Sequence, residues 1–428
     1  MSIRFYNARI LSMIDGQDIF EGELWVEGSK ITYVGPDKSS EEVAKSNVSF
    51  DRSIDCNRNL LMPGFKNAHT HSGMTLMRTY ADGLPLQDWL EQKIFPLEAR
   101  MTPEDCAMLS KLAILEYLTS GITAAFDMYL APEAIATAFE EAGMRLVQVS
   151  GINKFGPTLE VLEDRFIKLN GRHELSSFML GYHAEYTCDK ELLENISKMA
   201  HKYKAPVYTH NSETANEVKE CISRYGVTPT VFADSLGLFD FGGGGYHCVH
   251  MSDEDIEIFK NRKLSVVTNP GSNTKLASGI APISRFLKEG INVAIGTDGP
   301  SSNNCLDMFR EMFLVTGLAK LKDEDASSVD ALEVLKMATV NGAIAMGLRD
   351  CDVLAEGKEA DIIMIDLLQP NMQPINDIGR NLVYSGTKQN VKLTMVHGKV
   401  LYEDGRFDIG ISCEDIYKEV AKIQKRLI

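Results

Sequence analysis

The chain has 428 residues, 44% hydrophobic and 24% charged, which is room for one large α/β barrel with a smaller satellite domain and shows no bias towards disorder or a collagen-like repeat. A formal net charge of −16 argues against a surface built to neutralise nucleic-acid phosphates or to lie on an anionic membrane, since both need clustered Lys and Arg. A small-molecule partner is favoured.

Met1 to Asp15 lacks a basic end followed by an apolar run, and no stretch approaches the roughly 20 apolar residues of a membrane span, so a cytoplasmic location is expected. From Ser2 to about Asn59 the sequence alternates in the strand manner, as in Ile3-Arg4-Phe5-Tyr6 and Leu24-Trp25-Val26, with Gly22, Gly28 and Gly35 as turns. A different rhythm follows, in which short apolar runs alternate with stretches of helical period, the pattern of βα units. One helix is clearly signalled: Thr102 caps, Pro103 takes the first position, Leu112, Leu115 and Leu118 recur, and Gly121 stops it. Eight apolar runs end in a polar residue, at His69 with His71, Asp127, Ser150, His183, His210, His247, Asn269 and Asp298. Strand texture returns after about Asp361, in Ile362 to Asp366 and Lys392 to Tyr402. The expected architecture is a (β/α)8 TIM-like barrel over residues 60–349 and a composite β-sandwich domain from residues 1–59 and 350–428. The eight cysteines stand singly, without the Cys-x-x-Cys spacing of a thiolate metal site, and are expected to be reduced.

The sharpest chemical signal is His69-Thr70-His71. On a strand, residues i and i+2 point to one side, so two imidazoles can grip one ion, although a lone His-x-His arises often by chance. His210 and Asp298 close other apolar runs; taken singly they read equally well as a core histidine and a helix cap. Four such groups at strand ends of one barrel face are a different matter, because catalytic groups gather there. Three nitrogens and a carboxylate oxygen suit one zinc ion per chain, with ferrous iron the competitor. Glu213, His183 and His247 stand near as proton carriers, whereas His173, His201 and His397 read as surface residues. Zinc lowers the pKa of the water it binds, Asp298 serves as both ligand and base, Glu213 hands a proton to a ring nitrogen, and His247 orients the water or steadies charge. Attack followed by loss of ammonia is hydrolytic deamination of a purine-like or other heteroaromatic ring, the chemistry of other zinc deaminases.

The run Pro63 to His71, then Met74 to Arg78, Leu84 to Leu90, Tyr186-Thr187-Cys188, His210 with Glu213-Thr214, His247 to His250, Asn269-Pro270, Ser272-Asn273, Lys275-Leu276, Ser278-Gly279, Thr297-Asp298-Gly299 and Ser302 to Asn304 resemble the methylthioadenosine and S-adenosylhomocysteine deaminase group of the amidohydrolase superfamily. The resemblance spans nearly the whole chain. It implies that His69, His71, His210 and Asp298 bind the metal, that Glu213, His247 and Asp298 carry the chemistry, and that His247 rather than His250 belongs to the site. It further implies that Glu98 binds ribose hydroxyls, that His183 contacts substrate, and that the chain is a homo-oligomer. Glu98 alone reads as a solvated helix charge.

Departures from that group bear on substrate. It usually has an arginine near the end of the third strand that pairs with the carboxylate of S-adenosylhomocysteine, and Val147 to Ile152 has none, which removes the expected bidentate partner. Glu185 replaces a proline and is expected to add negative charge at the pocket mouth, and Gly242 to Tyr246 replaces an apolar run and is expected to be a flexible loop. Deamination of a free purine, pterin or pyrimidine base, dehalogenation of a heteroaromatic ring, and ring-amide hydrolysis remain alternatives, the last usually with two metals and a lysine where this chain has Gly181-Tyr182-His183. A barrel kept only as a scaffold is disfavoured because every expected group is present.

Overall fold

Strand pairing in the computed structural model, which describes residues 1–46 and 48–428, divides the chain between two sheets. The larger one runs through eight strands in chain order: β1 (Phe65–Thr70), β2 (Ile122–Asp127), β3 (Arg145–Val149), β4 (Ser176–Ala184), β5 (Val207–Asn211), β6 (Gly243–His247), β7 (Ser265–Thr268) and β8 (Asn292–Ile295). Every neighbouring pair is parallel. The Asn67 side chain and one backbone bond close the seam between the first and last: Thr297 N–H donates to Asn67 Oδ1 (2.9 Å), Asn67 Nδ2 to Thr297 Oγ1 (2.8 Å), and Asp298 N–H to the His69 carbonyl (3.0 Å).

These strands are apolar on both faces because both are covered. Phe65, Ile122, Leu146, Val207 and Val293 pack outwards against the helices, while Ala68, Phe126, Val147, Tyr208, Tyr246 and Val267 fill the interior. The signalled helix spans Pro103–Thr119, with Thr102 and Asp105 forming a reciprocal cap and Gly121 at φ 74.

The smaller sheet has nine strands drawn from both chain ends. Leu60–Pro63 joins the halves, running parallel to Ser2–Ile10 and antiparallel to Ile362–Ile365. Alternation then sorts the side chains. Ile3, Phe5, Leu61, Ile362 and Met364 form that sheet's own core, whereas Leu60, Met62, Ile363 and Ile365 face the barrel. The chain passes to β1 at Gly64, where a Cβ would strike the Thr123 side chain at 2.1 Å. Across this interface Arg145 grips Asp361 with two 2.9 Å bonds, both residues buried.

Two expectations are corrected. Gly243 to His247 is β6 and not a flexible loop: a Cβ on Gly243 would meet the Val207 carbonyl oxygen at 1.9 Å and one on Gly244 the Ser265 carbonyl oxygen at 2.2 Å. Glycine lets three strands approach there. Glu185 does not charge the pocket mouth; it is buried, and Arg224 donates to it at 2.6 and 3.3 Å. Among the described residues all eight cysteines are free, and no helix is long and apolar enough to cross a membrane.

Candidate metal centre and its cavity

The C-terminal ends of the barrel strands bring the predicted groups together. His69 lies in β1 and His71 one residue past it, ahead of the short helix Ser72–Met77; His210 is in β5, His247 ends β6, and Asp298 follows β8. His247 (φ 70) and Asp298 (φ 58) sit in the left-handed region, a strain of order 1–3 kcal/mol each that proteins keep mainly at functional sites. Ligating atoms of His69, His210, His247 and Asp298 all fall within 4.8 Å of one another. His71 also reaches this centre: its Nε2 is 3.1 Å from Asp298 Oδ1, and His69 Nε2 is 3.5 Å from the same oxygen. Two ligands about 2.0–2.2 Å from one tetrahedral ion lie roughly 3.4 Å apart, so both spacings suit a shared cation. The close grouping therefore holds three of the four predicted ligands with His247, and the fourth, His71, stands against it at Asp298.

Neighbours set the direction of each ring. His210 Nδ1 donates to the His183 carbonyl (2.7 Å), His247 Nδ1 to Asn273 Oδ1 (2.7 Å) and His71 Nδ1 to the Met128 carbonyl. Each bond turns the ring so that its Nε2 faces the centre. His69 stacks on Tyr246 with centroids 3.8 Å apart, and neither of its ring nitrogens has a hydrogen-bond partner. Asp298 Oδ2 accepts from Ser272 Oγ (2.6 Å) and Ser302 Oγ (2.8 Å), so Oδ1 is the oxygen that faces the imidazoles. Burial pushes His69 down to about 3 and His183 to about 4. Burial would push the Asp298 carboxyl up, but the imidazoles of His69 and His71 facing it hold it well below the usual carboxylate range. The unpartnered nitrogens of His69 and the neutral imidazole of His210, buried together with an ionised carboxylate, fit a divalent metal ion of the zinc or iron type.

Glu213 leads from β5 towards the helix Ala215–Tyr225. Its Oε1 accepts from Ser278 Oγ (3.0 Å), its Oε2 lies 3.8 Å from His247 Nε2, and burial raises its carboxyl. His183 Nδ1 lies 3.1 Å from Thr187 Oγ1. His250 stands outside the cluster and donates through Nε2 to the Ser278 carbonyl (2.7 Å).

From this centre opens a cavity of about 330 Å³ whose wall includes Trp89, Leu90, Ile94, Met128, Val149 and Ile152. Glu98 faces it and is no solvated helix charge; burial pushes its carboxyl up to about 7, with Tyr129 and His71 partly opposing. The wall contains one Lys or Arg, Arg165. It comes from the helix Leu159–Leu169, on the face of buried Leu162 and Leu169, and its Nε donates to Glu133 (2.7 Å). Sequence reasoning looked for a cation at the third strand and missed this one. It also missed the partners Asn273, Ser272, Ser302 and Ser278. Their only signal was their place in the motifs Ser272-Asn273, Ser278-Gly279 and Ser302-Asn303-Asn304.

The model of the amidohydrolase family matches residues 60–401. The chain belongs to this family. Across its whole length this amidohydrolase is 41% identical to a 5-methylthioadenosine/S-adenosylhomocysteine deaminase of Caldanaerobacter subterraneus subsp. tengcongensis, covering 99% of it, and 38% identical to one of Thermoanaerobacter pseudethanolicus, covering 98%. Among solved structures, an adenosine deaminase from Xanthomonas campestris with bound zinc superposes with a TM-score of 0.92 at 30% identity, over 100% of this chain and 98% of the other. The atrazine chlorohydrolase of Arthrobacter aurescens, at 24% identity and a TM-score of 0.88 over 99% and 100% of the two chains, shares the fold.

Proposed function

We propose that this amidohydrolase removes the ring amino group of an adenosine-like nucleoside, such as methylthioadenosine, adenosine or S-adenosylhomocysteine, replacing it with oxygen from water and releasing ammonia. The observation that carries the reading is the meeting, at one mouth of the barrel, of buried imidazoles and Asp298 with Glu213 and His247, beside a largely apolar cavity into which Glu98 faces. The names of the relatives point the same way. The domain division that goes with it is a catalytic barrel over residues 60–349 and a composite domain of residues 1–59 and 350–428, with the strand Leu60–Pro63 at the boundary paired into the sheet of the composite domain.

In this reading His69, His71, His210 and Asp298 hold one zinc per chain, with ferrous iron as competitor. Zinc there would supply water of lowered pKa. Asp298 takes the proton released, at Oδ1, since Oδ2 is already held by two hydroxyls. Glu213, whose burial favours the protonated carboxyl, delivers a proton from Oε2 to the ring nitrogen beside the carbon under attack. His247, fixed by Asn273, steadies the charge that develops there. Glu98 accepts from the ribose hydroxyls, and His183 contacts the substrate.

The test is ammonia release by zinc-loaded protein from adenosine, methylthioadenosine, S-adenosylhomocysteine, guanine, cytosine and a pterin. Release from the nucleosides supports the reading. Release from a free base alone would remove the ribose role of Glu98, and silence across the panel from metal-replete protein would overturn deamination.

A further inference from the structure

Glu217 is a buried carboxylate that lies outside the cavity wall and has no Lys or Arg partner among the described residues. A carboxylate so placed is costly unless hydrogen bonds replace its water. Three consecutive backbone N–H groups do so: Ser212 donates to Oε1 at 3.0 Å, and Glu213 and Thr214 donate to Oε2 at 2.7 and 3.3 Å. Helix capping accounts for only one of these. Thr214 is the N-cap of Ala215–Tyr225, and the reciprocal bond from its N–H to a glutamate three residues on is the ordinary capping box.

The other two bonds act on the segment that presents Glu213. Ser212 is held at φ 51, a left-handed conformation that an L-residue keeps only under constraint. Its carbonyl accepts from the N–H groups of Val249 (3.1 Å) and His250 (2.9 Å), so the turn is gripped from the β6 side as well as by Glu217. At the far end of the Glu213 side chain, Ser278 holds Oε1 and leaves Oε2 towards His247. Backbone clamp and side-chain tether together set one position for that oxygen.

We propose that Glu217 is a positioning residue for Glu213: its carboxylate clamps the Ser212-Glu213-Thr214 backbone so that Glu213 Oε2 stands where it can pass a proton to the substrate. The inference rests on the role given to Glu213 in the deaminase reading. A glutamine at 217 keeps the shape, but its single amide oxygen can take only one of the two places, so its NH2 group faces either the Ser212 N–H or those of Glu213 and Thr214, and the turn shifts. Displacing a reacting group by about 1 Å costs on the order of 100-fold in rate.

The experiment measures kcat and KM for ammonia release from methylthioadenosine, with metal per chain and melting temperature, for wild type, Glu217→Gln, Glu213→Gln and the double variant. Glu217→Gln is expected to lose on the order of 100-fold in kcat with KM changed by less than about threefold and metal retained. Because Glu217 acts through Glu213, adding Glu217→Gln to Glu213→Gln is expected to cost nothing further. Glu217→Asp keeps the carboxyl group but draws its oxygens back by one methylene; it is expected to lower kcat likewise, and it serves as the test if the glutamine variant does not fold. A wild-type kcat in Glu217→Gln, or a loss that multiplies with that of Glu213→Gln, would overturn the inference while leaving the deaminase reading intact. A metal-replete wild type that releases no ammonia from any nucleoside would overturn that reading and this inference with it.

Discussion

Asp298 Oδ1 and His71 Nε2 lie 3.1 Å apart across the seam where the last strand of the barrel meets the first. Ion pairing with Asp298 outweighs burial and pushes the His71 imidazole up to about 9. Without a cation the centre thus holds a proton that a divalent ion would displace. Removing metal with a chelator is expected to lower the melting temperature, and readdition to restore it. At a free-metal concentration 100 times Kd the stabilisation is about 2.7 kcal/mol. Identical melting of stripped and reloaded protein would show that the cluster holds no ion.

Glu213→Gln keeps the hydrogen bond from Ser278 but has no proton to give. Loss of a general acid costs roughly 10²- to 10⁴-fold. The variant is expected to lose activity in that range while binding as much metal as wild type. Equal product formation by the two proteins would remove Glu213 from the chemistry.

Burial holds the Glu98 carboxyl near 7, so the free protein keeps it protonated on the acid side and ionised above. The carboxylate is the form that accepts two ribose hydroxyls. A plot of kcat/KM against pH, which reports groups of the free enzyme, is expected to rise through about pH 7, and Glu98→Gln is expected to flatten that limb. An unchanged limb in the variant would assign it to another group.

Arg165 Nε is engaged by Glu133, whereas its two terminal nitrogens have no acceptor among the described residues. A carboxylate on the substrate tail would find its partner here and not at the third strand. Arg165→Met is expected to reduce kcat/KM for S-adenosylhomocysteine by about 1.5–3 kcal/mol, the worth of a charged hydrogen bond, and to leave methylthioadenosine unaffected. Parallel losses on both substrates would point to a packing role.

Burial alone would raise the Asp361 carboxyl, but the Arg145 charge and hydrogen bonds bring it down to about 2. A depressed carboxylate stabilises the fold at pH above its ordinary value of 3.8 and loses that contribution as pH falls through about 2. Removing one partner of a buried pair costs about 3–5 kcal/mol. Asp361→Asn should therefore be strongly destabilised at neutral pH, as denaturant unfolding would register, with the deficit shrinking at low pH.

What the amino-acid sequence determined by itself was the rhythm and the donors. Apolar runs ending in His69, His210, His247 and Asp298 mark parallel strands whose ends share a face, because a strand buried on both sides must be apolar throughout and can turn polar only where it emerges. The helix from Pro103 was legible for a similar reason, since caps and periodicity are local. The tertiary structure decided what each donor leans on. Asn273 behind His247, Ser272 behind Asp298, and Tyr246 stacked on His69 are contacts between strand ends that only barrel closure brings together, and a single hydrogen bond across the chain leaves no periodic trace. The same cause misled the reading of Gly242 to Tyr246, where glycine signals a turn locally but serves here to let three strands close. Glu185 and Arg165 make the matching point for charge: each finds its setting through another helix, Arg224 pairing with the one and Glu133 holding the other at the cavity wall.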